Sequence, residues 1–134
     1  MAYSAEIIES ENLNAAEDNA AHPTQKPVDL VHLCRQTFGN KELEAEVLGL
    51  FLSHSVQCLA RLQAATTDKD WADAAHSIKG TARAIGAWKV GDITETYERL
   101  AEQNKLQDKA PAVVEIAAVI NETNEYIRDL MRAA

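Results

Sequence analysis

Four residues in one short run have the types and spacing for group transfer: His76, Lys79, Gly80 and Arg83. On an α-helix that advances about 100° per residue, with angles measured from His76, Lys79 falls at about −60° and Gly80 at about +40°. Arg83 falls at about −20° by the same period. Trp71, Ala74, Ile78, Ala82 and Ile85 lie between roughly 160° and 240°, on the opposite side. Such a helix has an apolar back for a core. Its wet front displays an imidazole to an outside partner.

The spacing has a chemical logic. A neutral imidazole is a competent nucleophile near neutral pH, its ordinary pKa being about 6.5. Lys79, one turn along, is placed to neutralise a charged group arriving on His76, because residues at i and i+3 are surface neighbours. Its like charge also favours the neutral, nucleophilic ring. Gly80 costs about 1 kcal/mol in a helix interior relative to Ala. That cost makes sense where another protein's backbone must come close. A phosphoryl group, held by an ammonium and delivered by a docked partner, meets all three requirements.

The run His76-x-x-Lys79-Gly80, followed by Ile85-Gly86-Ala87, resembles the signature of histidine-containing phosphotransfer (HPt) domains. Asp92-Ile93-Thr94-Glu95-Thr96-Tyr97-Glu98-Arg99-Leu100 is similar to the helix that follows in that family, and Phe38-Gly39-Asn40-Lys41-Glu42-Leu43 through Phe51-Leu52 to the stretch before it. The resemblance covers residues 28–132. It implies that His76 is the phosphoacceptor, Lys79 a phosphate-interacting residue and Gly80 the clearance for a receiver domain. It further implies receiver domains of response regulators or hybrid histidine kinases as partners, with Mg²⁺ and an acidic pocket on the receiver and no cofactor in this chain.

Other candidates carry plainer readings beside the functional ones. Arg83, two turns from His76 on the same face, offers the acidic receiver a complementary charge that would tune encounter and partner choice; a solvated arginine is the alternative. Asp73, one turn before His76, either orients the ring or sits on a wet face. His54 and Cys58 stand four apart on one helix, but two ligands make no metal site. Asp29-x-x-His32 and Asp73-x-x-His76 have a spacing used by di-metal bundles, whose ligands point into the core. His76 points away from it, so no metal is expected. Trp71 and Trp88 read as core or bundle-end residues, His22 as solvated, and Glu95 and Glu98 as solvent-facing charges.

The pattern around the site predicts helices only. A short one spans about Asp29 to Phe38, with Leu30, Leu33 and Cys34 inward and Gly39 as a stop. A second runs from Lys41 to Ala65 behind an Asn40 N-cap, with Leu43, Val47, Leu50, Phe51, Cys58 and Leu62 as its stripe. The third follows Thr67, whose Thr67-x-x-Asp70 resembles a capping box, and ends near Gly86. The fourth covers Trp88 to Asn104 on Val90, Ile93, Tyr97 and Leu100; the fifth starts near Pro111 and continues past Ile127. Short links predict an all-α, antiparallel up-down four-helix bundle with a short additional N-terminal helix over residues 28–134. Residues 1–27 set Glu6, Glu9, Glu11, Glu17 and Asp18 against Lys26 and close on Pro23 and Pro27. That composition predicts a mobile acidic tail, with Tyr3, Ile7 and Ile8 leaving room for a short docked helix.

At 134 residues the chain supports one domain, and 46% hydrophobic residues with five Gly and three Pro suit helices with few turns. A net charge of −8 argues against nucleic acid as a partner. No apolar run suits a membrane span, no secretory signal is visible, and the cysteines read as reduced thiols, so a cytoplasmic monomer is expected. With no Gly-rich nucleotide loop, it reads as a phosphoryl carrier and not a kinase. The main rival is a non-catalytic helical adaptor that binds a partner through its acidic surface. A dimerising sensor-kinase bundle is the other, though such bundles usually carry an acid after the histidine, where this chain has Ser77.

Overall fold

The computed structural model describes residues 26–133. Nearly all of the acidic segment, its Tyr3–Ile8 stretch and His22 lie outside the described residues. Five helices follow in order: α1 (Leu30–Gln36), α2 (Lys41–Ala64), α3 (Asp68–Ile85), α4 (Trp88–Glu102) and α5 (Lys109–Ala133), with no strand among the described residues.

Local chemistry sets their ends. Asp29, Asn40 and Thr67 each accept a backbone N–H from three residues on, at 3.1, 3.0 and 3.0 Å, which satisfies a donor the helix itself leaves orphaned. Gly86 closes α3 in the left-handed region at φ 82°, and the Ala87 N–H returns to the Ala82 carbonyl at 2.8 Å. Links of two, three and six residues leave consecutive helices no choice but to run antiparallel. Helices α2 to α5 pack in a ring, each against two neighbours, with α3 and α4 the most closely apposed. The core they enclose holds Leu62, Trp71, Ile78, Ile85, Ile116, Ile120 and Ile127, all at most 2% exposed.

Helix α1 lies against the corner where α3 turns into α4. The Asp29 N–H donates to the Gly86 carbonyl at 2.9 Å, and Asp29 Oδ2 accepts from Trp88 Nε1 at 2.9 Å. The His32 ring meets Trp88 edge-on at 4.7 Å, and Val28 is wholly buried. A Cβ at Gly86 would stand 3.0 Å from both the Asp29 carbonyl oxygen and its Cβ, so this corner closes only around glycine.

Three assignments of facing need correction. Of Leu30, Leu33 and Cys34, only Leu33 is buried, because α1 is a seven-residue element touching the bundle along one edge. In α2, Leu48 takes the buried position and Leu50 is 62% exposed. Val47, Leu48, Leu50, Phe51 and Leu52 place apolar side chains all round that turn, so apolar content alone did not fix its rotation. In α4, Ile93 and Tyr97 are only partly buried, and the packed row is Val90, Gly91, Thr94, Glu98 and Ala101.

Candidate functional site

The five residues forecast for the back of α3 are all buried, and the His76 side chain on its front is 68% exposed. The amphipathic pattern therefore places the imidazole as the sequence required. The surroundings of the ring are not those expected. Glu98, forecast as a solvent-facing charge, is buried and comes from α4 to lie beneath His76. Its Oε2 stands 2.8 Å from His76 Nδ1, and its Oε1 stands 2.8 Å from Lys79 Nζ, off the line of a directed hydrogen bond.

Glu98 reaches this place because α4 presents small residues to α3. Gly91, Thr94, Glu98 and Ala101 alternate at steps of three and four, so they form one face. Small side chains on either side let the two backbones approach and leave depth for a single long carboxylate. An acid set in a row of small residues was the available sequence signal. The apolar stripe drew attention to the neighbouring Tyr97 instead.

Burial alone would push the Glu98 carboxyl up, but Lys79 and His76 outweigh it and hold it below the usual carboxylate range. Glu98 is therefore ionised near neutral pH and can only accept. His76 Nδ1 must then carry the ring proton and donate it to Glu98, which leaves the Nε2 lone pair on the exposed side. The expectation that Lys79 acts on the ring by like-charge repulsion is corrected by this geometry. A shared carboxylate neutralises the ammonium and fixes the ring's tautomer. Lys79 itself is only 19% exposed.

The structure does not bring Asp73 to His76; its carboxylate pairs with Lys69 at 2.9 Å. Arg83 is drawn across to α4, where it binds Glu95 and reaches Asp92 at 3.2 Å, and Glu95 also takes Arg99 at 2.8 Å. The hydrogen bond from Arg83 holds the Glu95 carboxyl below its ordinary range. Arg83 lies in a slot that exists only because position 91 is glycine: a Cβ there would stand 2.9 Å from Arg83 Cγ. Its guanidinium is thus committed within the chain.

The two flanks of His76 differ. Towards α4 lie the Lys79–Glu98 and Arg83–Glu95 pairs. Towards α2 the surface is open, with nothing within 4 Å of where a Gly80 Cβ would stand. Beyond it, Val47, Leu50, Phe51, His54, Thr81 and Ala84 line an apolar trough of about 520 Å³ between α2 and α3. His54 there contacts Cys58 Sγ at 3.5 Å, and burial pushes that thiol up. Among the described residues no group of three or more His, Cys, Asp or Glu is placed to hold a metal ion, and no helix is long and apolar enough to cross a membrane.

No curated protein and no solved structure matches the chain. The family model of the Hpt domain matches residues 46–133, the span that contains α3, α4, α5 and most of α2. An exposed imidazole on a bundle helix and a family match over most of the chain lead to one conclusion: the protein belongs to the Hpt domain family, whose members carry phosphoryl groups on histidine in phosphorelays, generally with receiver domains, and are not kinases.

Proposed function

We propose that His76 accepts a phosphoryl group from the aspartyl phosphate of one receiver domain and passes it to the aspartate of another. The observation that carries this reading is the pairing of an exposed ring with a buried carboxylate on Nδ1. In the forward step the Nε2 lone pair attacks phosphorus in line. The Nε2–P bond forms, the P–O bond to the receiver's aspartate breaks, and its electron pair stays on that carboxylate. The proton on Nδ1 does not move. The ring acquires positive charge as the bond forms, and Glu98 is already in place to stabilise it. The reverse sequence onto a second receiver regenerates the neutral ring.

Lys79 serves the incoming phosphoryl group from its seat on Glu98, and Gly80 leaves the receiver room on the α2 side, where the trough around Leu50 offers an apolar footing. The reading places a monomeric carrier in the cytoplasm, with Mg²⁺ held by the receiver. Incubation with a panel of phosphorylated receivers tests it. The chain should gain an acid-labile phosphoryl label, and His76→Gln should lose that label with unchanged helical circular dichroism. A label retained by His76→Gln moves the site elsewhere; no label from any receiver, with tight binding to one, favours the adaptor reading.

A further inference from the structure

The buried row of α4 holds a second polar residue besides Glu98. Thr94 stands one turn before it on the same face and is wholly buried. Thr37, Thr81, Thr96 and Thr123 each turn the hydroxyl back to the carbonyl four positions earlier, at 2.8, 3.1, 3.1 and 2.9 Å. That is an ordinary arrangement for threonine in a helix, since it satisfies the donor locally. Thr94 breaks the pattern. Its Oγ1 makes no bond to the Val90 carbonyl, and among the described residues it has no hydrogen-bond partner.

A buried hydroxyl left unpaired is costly, and a valine of the same shape would avoid that cost. Position 94 therefore points to a use for the hydroxyl. Glu98 Oε1 is in a similar condition, buried and without a directed hydrogen bond although Lys79 Nζ is 2.8 Å away. Residues four apart on a helix face have Cβ atoms about 5–6 Å from each other, within the span of one bridging water. A buried water typically makes about three hydrogen bonds. The Thr94 hydroxyl, the Glu98 carboxylate and the Lys79 ammonium can supply them.

We propose that Thr94 is a positioning residue for Glu98, its hydroxyl donating to a buried water that donates in turn to Glu98 Oε1. Glu98 Oε2 is already committed to His76 Nδ1, so a donor on Oε1 fixes the other arm and keeps the carboxylate from turning. Lys79 cannot serve Glu98 and an incoming phosphoryl group in full at once. The bridge keeps Oε1 supplied when the ammonium turns to the phosphoryl oxygens, so the Nδ1–H tautomer persists through transfer. That consequence rests on the reading of His76 as phosphoacceptor; the bridge itself does not.

A crystal structure near neutral pH should show a water within hydrogen-bond distance of both Thr94 Oγ1 and Glu98 Oε1. A hydroxyl turned instead to the Val90 carbonyl overturns the bridge. Thr94→Val keeps the shape and removes the donor, whereas Thr94→Ser keeps the donor. The charged groups facing Glu98 are His76 and Lys79 of α3, and neither variant alters them. A hydrogen bond to an ionised carboxylate lowers its pKa, so the ¹³C titration midpoint of Glu98 should move up in Thr94→Val and return in Thr94→Ser. An unchanged midpoint in Thr94→Val, or a rise that Thr94→Ser fails to reverse, assigns Thr94 to packing and overturns the proposal. Phosphoryl acceptance from a receiver should slow about three- to tenfold in Thr94→Val and recover in Thr94→Ser. A shifted midpoint with no transfer to the native chain ends the relay reading and leaves the bridge standing. Native transfer with an unshifted midpoint does the reverse.

Discussion

Glu98 and His76, twenty-two positions apart on adjacent helices, are joined by a 2.8 Å hydrogen bond between carboxylate and Nδ1. The same carboxylate holds Lys79. One buried acid therefore sets the tautomer of the His76 ring, its orientation, and the resting place of the Lys79 ammonium, the two groups to which the proposed function gives the nucleophile's and the phosphoryl-binding roles. Removing its charge while keeping its shape tests that assignment. Glu98→Gln should slow phosphoryl acceptance roughly ten- to a hundredfold, the scale expected when a reacting group loses its positioning. The ¹⁵N shifts of His76 should at the same time lose the strong bias towards the Nδ1–H tautomer. An unchanged rate would reduce Glu98 to a structural acid.

Gly80 separates stability from function. Nothing lies within 4 Å of an added Cβ, so Gly80→Ala should gain about 1 kcal/mol through helix propensity and raise the melting temperature by a few degrees. Phosphotransfer should nevertheless slow, and slow further in Gly80→Glu. Rate measurement beside a thermal melt checks both halves.

Acid should weaken the fold in two stages. Burial holds the His32 imidazole below its ordinary pKa, in spite of nearby Asp29. The unfolded chain therefore binds a proton that the folded chain refuses, and stability declines as pH falls below about 6.5. Glu98 and Glu95 are depressed carboxylates, so their contribution is complete above about pH 4.3 and disappears as pH drops through their lower folded values. Urea titrations from pH 7.5 to 3 should show both limbs. His32→Gln should flatten the first and Glu98→Gln the second.

The α3–α4 corner admits glycine alone. Gly86→Ala combines a left-handed backbone at φ 82° with a Cβ set 3.0 Å from Asp29. The backbone term alone is about 1–2 kcal/mol, and displacement of Asp29 adds to it. Chemical denaturation should report a loss of at least about 2 kcal/mol, together with a rise in the fluorescence accessibility of Trp88.

Phe38 is the opposite case. It adopts φ 56°, and 91% of its surface is in solvent. A bulky residue is strained in that region, and little burial compensates it. Phe38→Asn, which tolerates the left-handed conformation, should leave the fold intact and raise its stability by about 1 kcal/mol in the same denaturation assay.

What the sequence disclosed follows from which interactions are local. Helix caps at Asn40 and Thr67, the stop at Gly86 and the two sides of α3 depend on neighbours within a turn or two, and all were legible. So was His76, because its exposure is the complement of an apolar back on its own helix. Partners of the front-face charges were not legible in this way. Asp73 was near His76 in sequence and bonds elsewhere, while Glu98 was remote and is the true contact. Arg83 likewise looked free until α4 was brought alongside. Helix α4 misled because beyond Val90 its buried row is Gly91, Thr94, Glu98 and Ala101, residues a hydrophobicity pattern passes over. Helix α2 misled for the contrary reason, since its leucines point both ways.

The latch of Asp29 onto Gly86 and Trp88 bears on how this domain can be cut. The family match starts at residue 46, part-way along α2, yet Val28, the Asp29 contacts and the Asn40 cap all lie upstream of it. A fragment trimmed to that match would leave the rim around Trp88 uncorked and α2 without its first turn. Expression beginning no later than Lys26 keeps the corner that closes the C-terminal end of α3, the helix of His76, and crystallisation or labelling work on the isolated domain should start there.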